Sequence, residues 1–344
     1  MSALDDVIKD INKQFKSNIA NKGVVFEKVG RIPFSTPRLN YMLYGGMPMG
    51  RLVEFFGPEG GGKTTAALNL VGQCQKLFPD KKAVFVDVER TLDIEWAIKM
   101  GVDIDSLYLI TPDSQTAEEI FDMVEAIVKT GEVSICVIDS VGVMVSKQAY
   151  EKKIEDKTYG GISQSLTLFS KRIIPICART KCLLVGINQV RDDMNSSYGG
   201  TVTTGGRAWR HNCSVRMEFT QSDYIDEVGN SLTRGCENPA GHYVKVRLVK
   251  SKVCRLDRKV GFYTLKYLTG MDYVSDTIDV ALKENFITKA GAWFSIVDPE
   301  TGELATDENG EVLKFQGRPK LYQFLCENEA WFEELTEAIN TKIS

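Results

Sequence analysis

The stretch from Arg51 to Val71 constrains this chain more than any other. Arg51-Leu-Val-Glu-Phe-Phe56 is an apolar run fit for a buried strand, Gly57-Pro-Glu-Gly-Gly-Gly-Lys63-Thr64-Thr65 follows it, and Ala66-Ala-Leu-Asn-Leu-Val71 continues as a helix. The pattern G-x-x-x-x-G-K-[ST] has a physical reason behind each fixed position. Gly57, Gly60, Gly61 and Gly62 let backbone N–H groups turn inward, and the helix adds its positive N-terminus, so a triphosphate can sit there. Lys63 is expected to reach the β- and γ-phosphates, and Thr64 to offer its hydroxyl to Mg²⁺. Pro58, Glu59 and Thr65 complete the nucleotide-binding stretch. The competing reading is a glycine loop that merely turns a strand into a helix, and the strand and helix on its flanks argue against it.

The chain has 344 residues, enough for one large domain with small appendages or for two domains. Its net charge of −4 neither supports nor excludes nucleic acid, so any such binding must rest on local patches. The eight cysteines include no C-x-x-C and several lie inside apolar runs, which reads as buried or free thiols in a reducing cytoplasm. No apolar run approaches the roughly 18 residues of a membrane span, so a soluble, cytoplasmic protein with no membrane partner is expected.

Apolar runs and helical patterns alternate beyond the glycine loop. Ala83–Asp87, Leu107–Ile110, Val133–Asp139 and Cys182–Asn188 read as strands, with helices over 116–129 and 162–178, so the fold class is α/β with a mostly parallel central sheet. After residue 205, Ser214–Phe219, Tyr243–Val249 and Gly261–Tyr267 nearly alternate and predict antiparallel strands that extend the sheet. Leu4, Ile8, Ile11 and Phe15 share one side of an N-terminal helix, followed by a loop and a short strand from Gly23. From about Asp272 the pattern is helical again, apart from turns and short strands between Trp293 and Phe315.

Val137-Ile-Asp139-Ser140 ends an apolar strand with an acid, the Walker B arrangement in which a carboxylate holds Mg²⁺ through water. Asp87-Val-Glu89 ends another, and Glu89 could polarise an attacking water, while Asp87 could equally be structural.

The glycine loop, Phe85–Asp93, Gly101–Leu107, Val137–Val141, Gly186–Arg191, Thr203–Gly206, Val249–Lys252 and Lys289–Ser295 come in the order and near the spacing found in bacterial RecA recombinases, which the chain resembles over roughly residues 5 to 295. The resemblance implies a RecA-like P-loop ATPase core, an ATP- and Mg²⁺-dependent enzyme that forms a helical filament on single-stranded DNA and pairs it with a homologous duplex. Glu89 then looks like the catalytic glutamate, Asp139 like the Walker B acid and Gln189 like the sensor beside the γ-phosphate. Asp93 and Trp96 fall where the family touches the adenine, with Trp in place of the usual Tyr, and Tyr267 joins the nucleotide-binding set. Lys250 and Lys252 match lysines that reach a neighbouring protomer's ATP, a role like that of an arginine finger in trans.

Two polar, turn-rich stretches match the family's DNA-binding loops, about 150–161 and 191–206. Tyr159, Gly160, Arg191, Met194, Tyr198, Thr203, Thr204, Gly205 and Gly206 are the expected DNA contacts. Backbone N–H and hydroxyl groups suit phosphates, and Tyr159 and Met194 suit wedging between bases. Asp192 and Asp193 depart from the family by standing where relatives carry a basic side chain, Arg90 replaces a usual His, and the insertion from Val297 to Gly317 is the least family-like part. The expected organisation is an oligomerisation module over 1–30, the ATPase core over 31–270 and a small α+β domain over 271–344. A hexameric helicase or loader on the same core, or a non-enzymatic single-strand coat clamped by ATP, are the alternatives.

Overall fold

The computed structural model describes residues 2–16, 19–20, 29–152, 161–192, 201–227, 229, 231–233, 235–299, 301–307 and 310–343. The chain divides into two compact units, Met1–Gly30 and Arg31–Ser344. In the first, a helix spans Ala3–Gln14 and starts in a capping box, in which the Ser2 hydroxyl accepts from the Asp5 N–H and the Asp5 carboxylate accepts from the Ser2 N–H. None of its residues is buried, and Leu4 and Phe15 of the apolar stripe are 66% and 60% exposed. The strand expected from Gly23 lies outside the described residues.

The second unit is built on a ten-stranded sheet. Leu107–Ile110, Lys82–Asp87, Val133–Asp139, Leu183–Asp192, Leu52–Gly57 and Val215–Ile225 lie side by side in that order and run parallel. Gly241–Ser251, Val260–Lys266 and Gly270–Met271 then extend it antiparallel, as the change of rhythm after residue 205 predicted, but the strand expected at Ser214–Phe219 pairs parallel with Leu52–Gly57, because an alternating pattern marks a strand and not its direction.

Side chains alternate across a strand, so a sheet covered on both faces needs apolar residues at nearly every position. Val53 and Phe55 therefore pack with Ala66, Leu68, Leu70 and Val71 of the helix Lys63–Leu77 on one face. On the other, Leu52, Val86 and Ile138 meet Phe121 and Val124 of the helix Ala117–Lys129 and Phe169 and Ile173 of Ser163–Thr180. The Phe121 and Phe169 rings stack with centroids 4.4 Å apart. Burying each such side chain is worth roughly 1.5–3 kcal/mol, and the two layers hold the strand ends in fixed register.

The end of the chain forms its own core, in which Ile278, Ile296, Leu321 and Ile339 are buried together. A sheet of Ile287–Ala290, Trp293–Ile296 and Lys314–Gln316 packs with the helices Tyr273–Lys283, Arg318–Glu327 and Glu329–Ile343. The turns expected at Asp298 and Asp307 form, with each carboxylate accepting a backbone N–H further along its turn, from Thr301 and Glu311 respectively.

One expected boundary differs. The reading of 191–206 as a single loop gives way at both ends, because Leu183–Asp192 continues through Arg191 and pairs antiparallel with Thr201–Thr203. Val202 and the two threonines are β-branched and suit a ladder, which the glycine and serine content of the stretch obscured.

Candidate nucleotide site

Parallel strands bring their C-terminal ends to one edge, and here those ends carry the glycine loop, Asp139, Gln189 and the turn that holds Glu89. The loop follows Leu52–Gly57 directly. A Cβ on Gly57 would lie 2.0 Å from the Phe219 carbonyl oxygen, and one on Gly62, at φ +86°, would lie 2.2 Å from the Tyr263 hydroxyl. That hydroxyl donates to the Gly62 carbonyl at 2.7 Å, so a buried phenol braces the loop from below. Only glycine allows this approach.

Gly61 differs from the expectation that the loop glycines turn their N–H groups inward. Gly61 is buried, with a Cβ position 2.9 Å from the same Phe219 oxygen, and its N–H donates to the Pro58 carbonyl at 3.3 Å, closing a turn inside the loop instead. Gly60 is exposed at the tip of that turn with φ +68°, and a Cβ there would meet nothing within 4 Å. Its place is therefore set by backbone conformation and not by a close neighbour.

Lys63 is buried at the first turn of the helix, and its ammonium donates to the carbonyls of Gly57 at 3.0 Å and Pro58 at 2.6 Å. Burial lowers its pKa, while Asp139, Glu89 and Glu59 oppose that shift. The Thr64 hydroxyl donates to Asp139 Oδ2 at 2.7 Å. Burial pushes the Asp139 carboxyl up to about 6, against the pull of the Thr64 hydrogen bond. A hydroxyl and a carboxylate held together at the loop's mouth are the oxygen donors a hard divalent cation takes, so the residues present fit Mg²⁺ with a nucleoside triphosphate.

Glu89 follows the strand Lys82–Asp87 and accepts two hydrogen bonds on one oxygen, from the Ser140 hydroxyl and from Gln189 Nε2 at 3.1 Å. Its backbone is tied in too, since the N–H groups of Val88 and Glu89 donate to the Asp139 carbonyl. Asp87 is structural, its carboxylate accepting from the Thr91 and Leu92 N–H groups at 3.2 and 3.0 Å and closing the turn after Glu89. Sequence reasoning missed Ser140, whose one signal was its place after the Walker acid. It also missed Tyr263, which looked like any apolar strand residue.

Asp93 caps the short helix Ile94–Lys99 by accepting from the Trp96 N–H at 3.0 Å. The Trp96 indole is half-buried and donates to the Thr65 hydroxyl at 3.2 Å, which fixes the ring beside the glycine-loop helix. Tyr267 lies six residues beyond Gly261, which is level with the end of Leu52–Gly57 through Val246 and Phe219, so it stands about 20 Å along the sheet and about 14 Å across it from the glycine loop, and the structure does not bring it to the loop as expected. It is 42% exposed, and its hydroxyl lies 3.0 Å from Nδ1 of the buried His242.

A family model for the RecA N-terminal domain matches residues 2–272, and one for the RecA C-terminal domain matches 275–344. The chain belongs to the RecA family. It is 33% identical to Protein RecA of Thermus thermophilus over 350 residues, covering 99% of this chain and 93% of that protein. It is similarly 33% identical to Protein RecA of Clostridium acetobutylicum over 312 residues, 88% and 84% of the two chains, and to that of Clostridium perfringens over 301, 87% and 78%. Membership implies a DNA-dependent ATPase that uses ATP and Mg²⁺, and supports a part in recombination and DNA repair. Among the described residues, no helix is long and apolar enough to cross a membrane.

The RecA-type lysines lie away from their own glycine loop. Ser251 pairs with Val215, which pairs with Val53, so Lys250 and Lys252 stand at the opposite edge of the sheet from Gly57. Four strand residues, about 13 Å, separate those levels. Lys250 donates to the carbonyls of Arg210 and His211 at 2.7 and 2.6 Å and so caps the C-terminus of the helix Gly206–Asn212. Lys252 is exposed. Of the expected DNA contacts, Tyr159, Gly160, Met194 and Tyr198 lie outside the described residues. Arg191 is exposed on the strand that leaves the nucleotide edge, and Gly205 and Gly206 lead into the helix that Lys250 caps.

Proposed function

We propose that this chain is a DNA-dependent ATPase that assembles as a helical filament on single-stranded DNA and pairs that strand with a homologous duplex. The observation that carries the reading is the place of Gln189. Its amide donates to Glu89 at the nucleotide edge, and two residues later Arg191 enters the second DNA loop on the same strand. One strand thus reports on both ligands.

In this reading Lys63 and the loop N–H groups bind the phosphates, and Mg²⁺, held by Thr64 and Asp139, supplies neutralising charge across them. Glu89 orients the attacking water and takes its proton, and the Ser140 and Gln189 hydrogen bonds hold the acceptor oxygen in place. Asp93 and Trp96 contact the base. Lys250 and Lys252 serve the nucleotide of the next protomer, a role supported by their distance from their own loop. A head-to-tail contact of this kind runs on as an open helix when it does not close a ring. Residues 1–30 form the oligomerisation module, 31–270 the ATPase core and 271–344 a small C-terminal domain.

The test is ATP turnover with and without single-stranded DNA, in the parent and in Gln189→Ala. DNA should raise parental turnover, and the variant should lose that stimulation while still binding both ligands. Turnover equal with and without DNA across a range of salt would refute the reading, and an absence of turnover would favour a coat protein that uses ATP as a clamp.

A further inference from the structure

The glycine-loop strand carries a buried carboxylate that the chemistry above does not use. Glu54 is fully buried three residues before Gly57. Its Oε1 accepts from Asn188 Nδ2 at 2.8 Å and from the Trp209 indole at 2.9 Å, and its Oε2 accepts from Arg216 Nε. Two of these donors continue into the described end of the second loop. Asn188 Nδ2 also donates to the Thr204 carbonyl at 2.8 Å, and Arg216 Nη2 donates to the Thr203 hydroxyl at 3.2 Å. The Arg216 guanidinium lies 4.5 Å above the Phe56 ring, which holds it in plane.

The same group touches the nucleotide edge. Asn188 precedes Gln189, whose amide meets Glu89. Gly142, just past the Walker acid, approaches so closely that a Cβ there would lie 3.0 Å from Asn188 Oδ1 and 3.5 Å from the Thr204 hydroxyl. A buried ion pair is costly to desolvate and often contributes little net stability, whereas a buried hydrogen-bonded network restricts the geometry of its members, although Asn188 Oδ1 itself has no partner among the described residues. The glycine-loop strand, the sensor strand, the helix Gly206–Asn212 and the strand Val215–Ile225 meet on one carboxylate, and Asn188 and Arg216 carry bonds onward to the loop stem.

We infer that Glu54 is a positioning residue that couples the second DNA loop to the nucleotide edge by holding Asn188 and Arg216 in register. It touches neither ligand. The inference rests on the proposed function and names the group through which its two sites communicate. Coupling between binding sites is reciprocal, so it is read as one factor: how much nucleotide tightens DNA, or DNA tightens nucleotide.

The experiment measures binding of a labelled dT oligonucleotide to the full chain by anisotropy, with and without a non-hydrolysable ATP analogue and Mg²⁺, and binding of the analogue alone. Glu54→Gln keeps one acceptor oxygen but turns an amide toward Arg216, which releases Thr203. The variant should bind each ligand alone within about twofold of the parent, while the coupling factor falls from the roughly 5–150-fold range of linked sites to below about twofold. A merely structural role would weaken both separate affinities together and leave the factor intact. Should Glu54→Gln fail to fold, the pair Glu54→Gln/Arg216→Met leaves no buried ion unpaired and still lacks the bond to Thr203, so the same loss is expected. Parental coupling in either folded variant overturns the inference. A parent chain with no coupling at all overturns the functional reading beneath it as well.

Discussion

Gly62→Ala tests the brace under the glycine loop. The residue sits at φ +86°, where an L side chain costs about 1–2 kcal/mol, and its Cβ would lie 2.2 Å from the Tyr263 hydroxyl and 3.0 Å from a Val244 methyl. Tyr263 is fully buried, so its hydroxyl has no free direction to move in and would lose the Gly62 carbonyl, at roughly 1–3 kcal/mol for a stranded polar group. The sum is about 2–5 kcal/mol, with the loop displaced from phosphate geometry. Tyr263→Phe removes the clashing atom, so the double variant Gly62→Ala/Tyr263→Phe should be more stable than the sum of the single changes by about 1–2 kcal/mol. Urea unfolding followed by near-ultraviolet signal, with binding of a fluorescent ATP analogue in parallel, measures both consequences. A cost for Gly62→Ala below about 0.5 kcal/mol, the level of an ordinary surface change, or strict additivity in the double variant, would show that the brace is not as described.

Lys63→Ala should abolish detectable ATP binding, whereas Glu89→Gln should leave binding nearly intact and lower turnover by about a hundredfold or more, because the amide keeps the shape of the carboxylate but cannot take the proton. Parental turnover in Glu89→Gln, measured by phosphate release, would remove Glu89 from its role. Mixing Lys63→Ala protein with Lys250→Ala/Lys252→Ala protein, each inactive alone, should restore part of the DNA-dependent turnover, since some contacts then join an intact loop to intact lysines. No recovery in polymers shown by labelling to be mixed would mean that each protomer works with its own residues. Asp276 offers a test of pH dependence. Burial pushes this carboxyl up to about 7 from an ordinary 3.8, so the stability it lends is whole below about pH 4 and is lost as pH rises through about 7. The melting temperature of Asp276→Asn should therefore gain on the parent across that window, and a difference that stays flat with pH would contradict the assignment.

The strands, the parallel character of the sheet around the glycine loop and most of the nucleotide-site residues were legible in the sequence because each carries a local pattern. Val133–Asp139 shows its apolar run and terminal acid without reference to anything else, and the loop's glycines announce a backbone that must turn. What stayed hidden depends on partners distant in sequence. Nothing local to Glu54, a single charge within an apolar run, points to Asn188, Trp209 and Arg216, which meet it from other strands and a helix. Tyr263 gave no signal because the group it braces lies 201 positions away. Asp87 was legible as an acid at a strand end, but only its bonds to local N–H groups reveal the turn it closes, and the cap that Asp93 forms on the helix Ile94–Lys99 was not foreseen. The second loop was read too long because composition marked its glycines and could not register the ladder between Arg191 and Val202.

The most direct test of the central claim is strand exchange between circular single-stranded DNA and a linear duplex, followed by gel electrophoresis of the joint molecules. With ATP and Mg²⁺ the protein should form joint molecules and nicked circles from a homologous duplex and none from a heterologous one, and Lys63→Ala should form neither. Displacement of strands regardless of homology would identify a helicase on this core, and single-strand binding with no joint molecules from the homologous duplex would contradict the recombinase account.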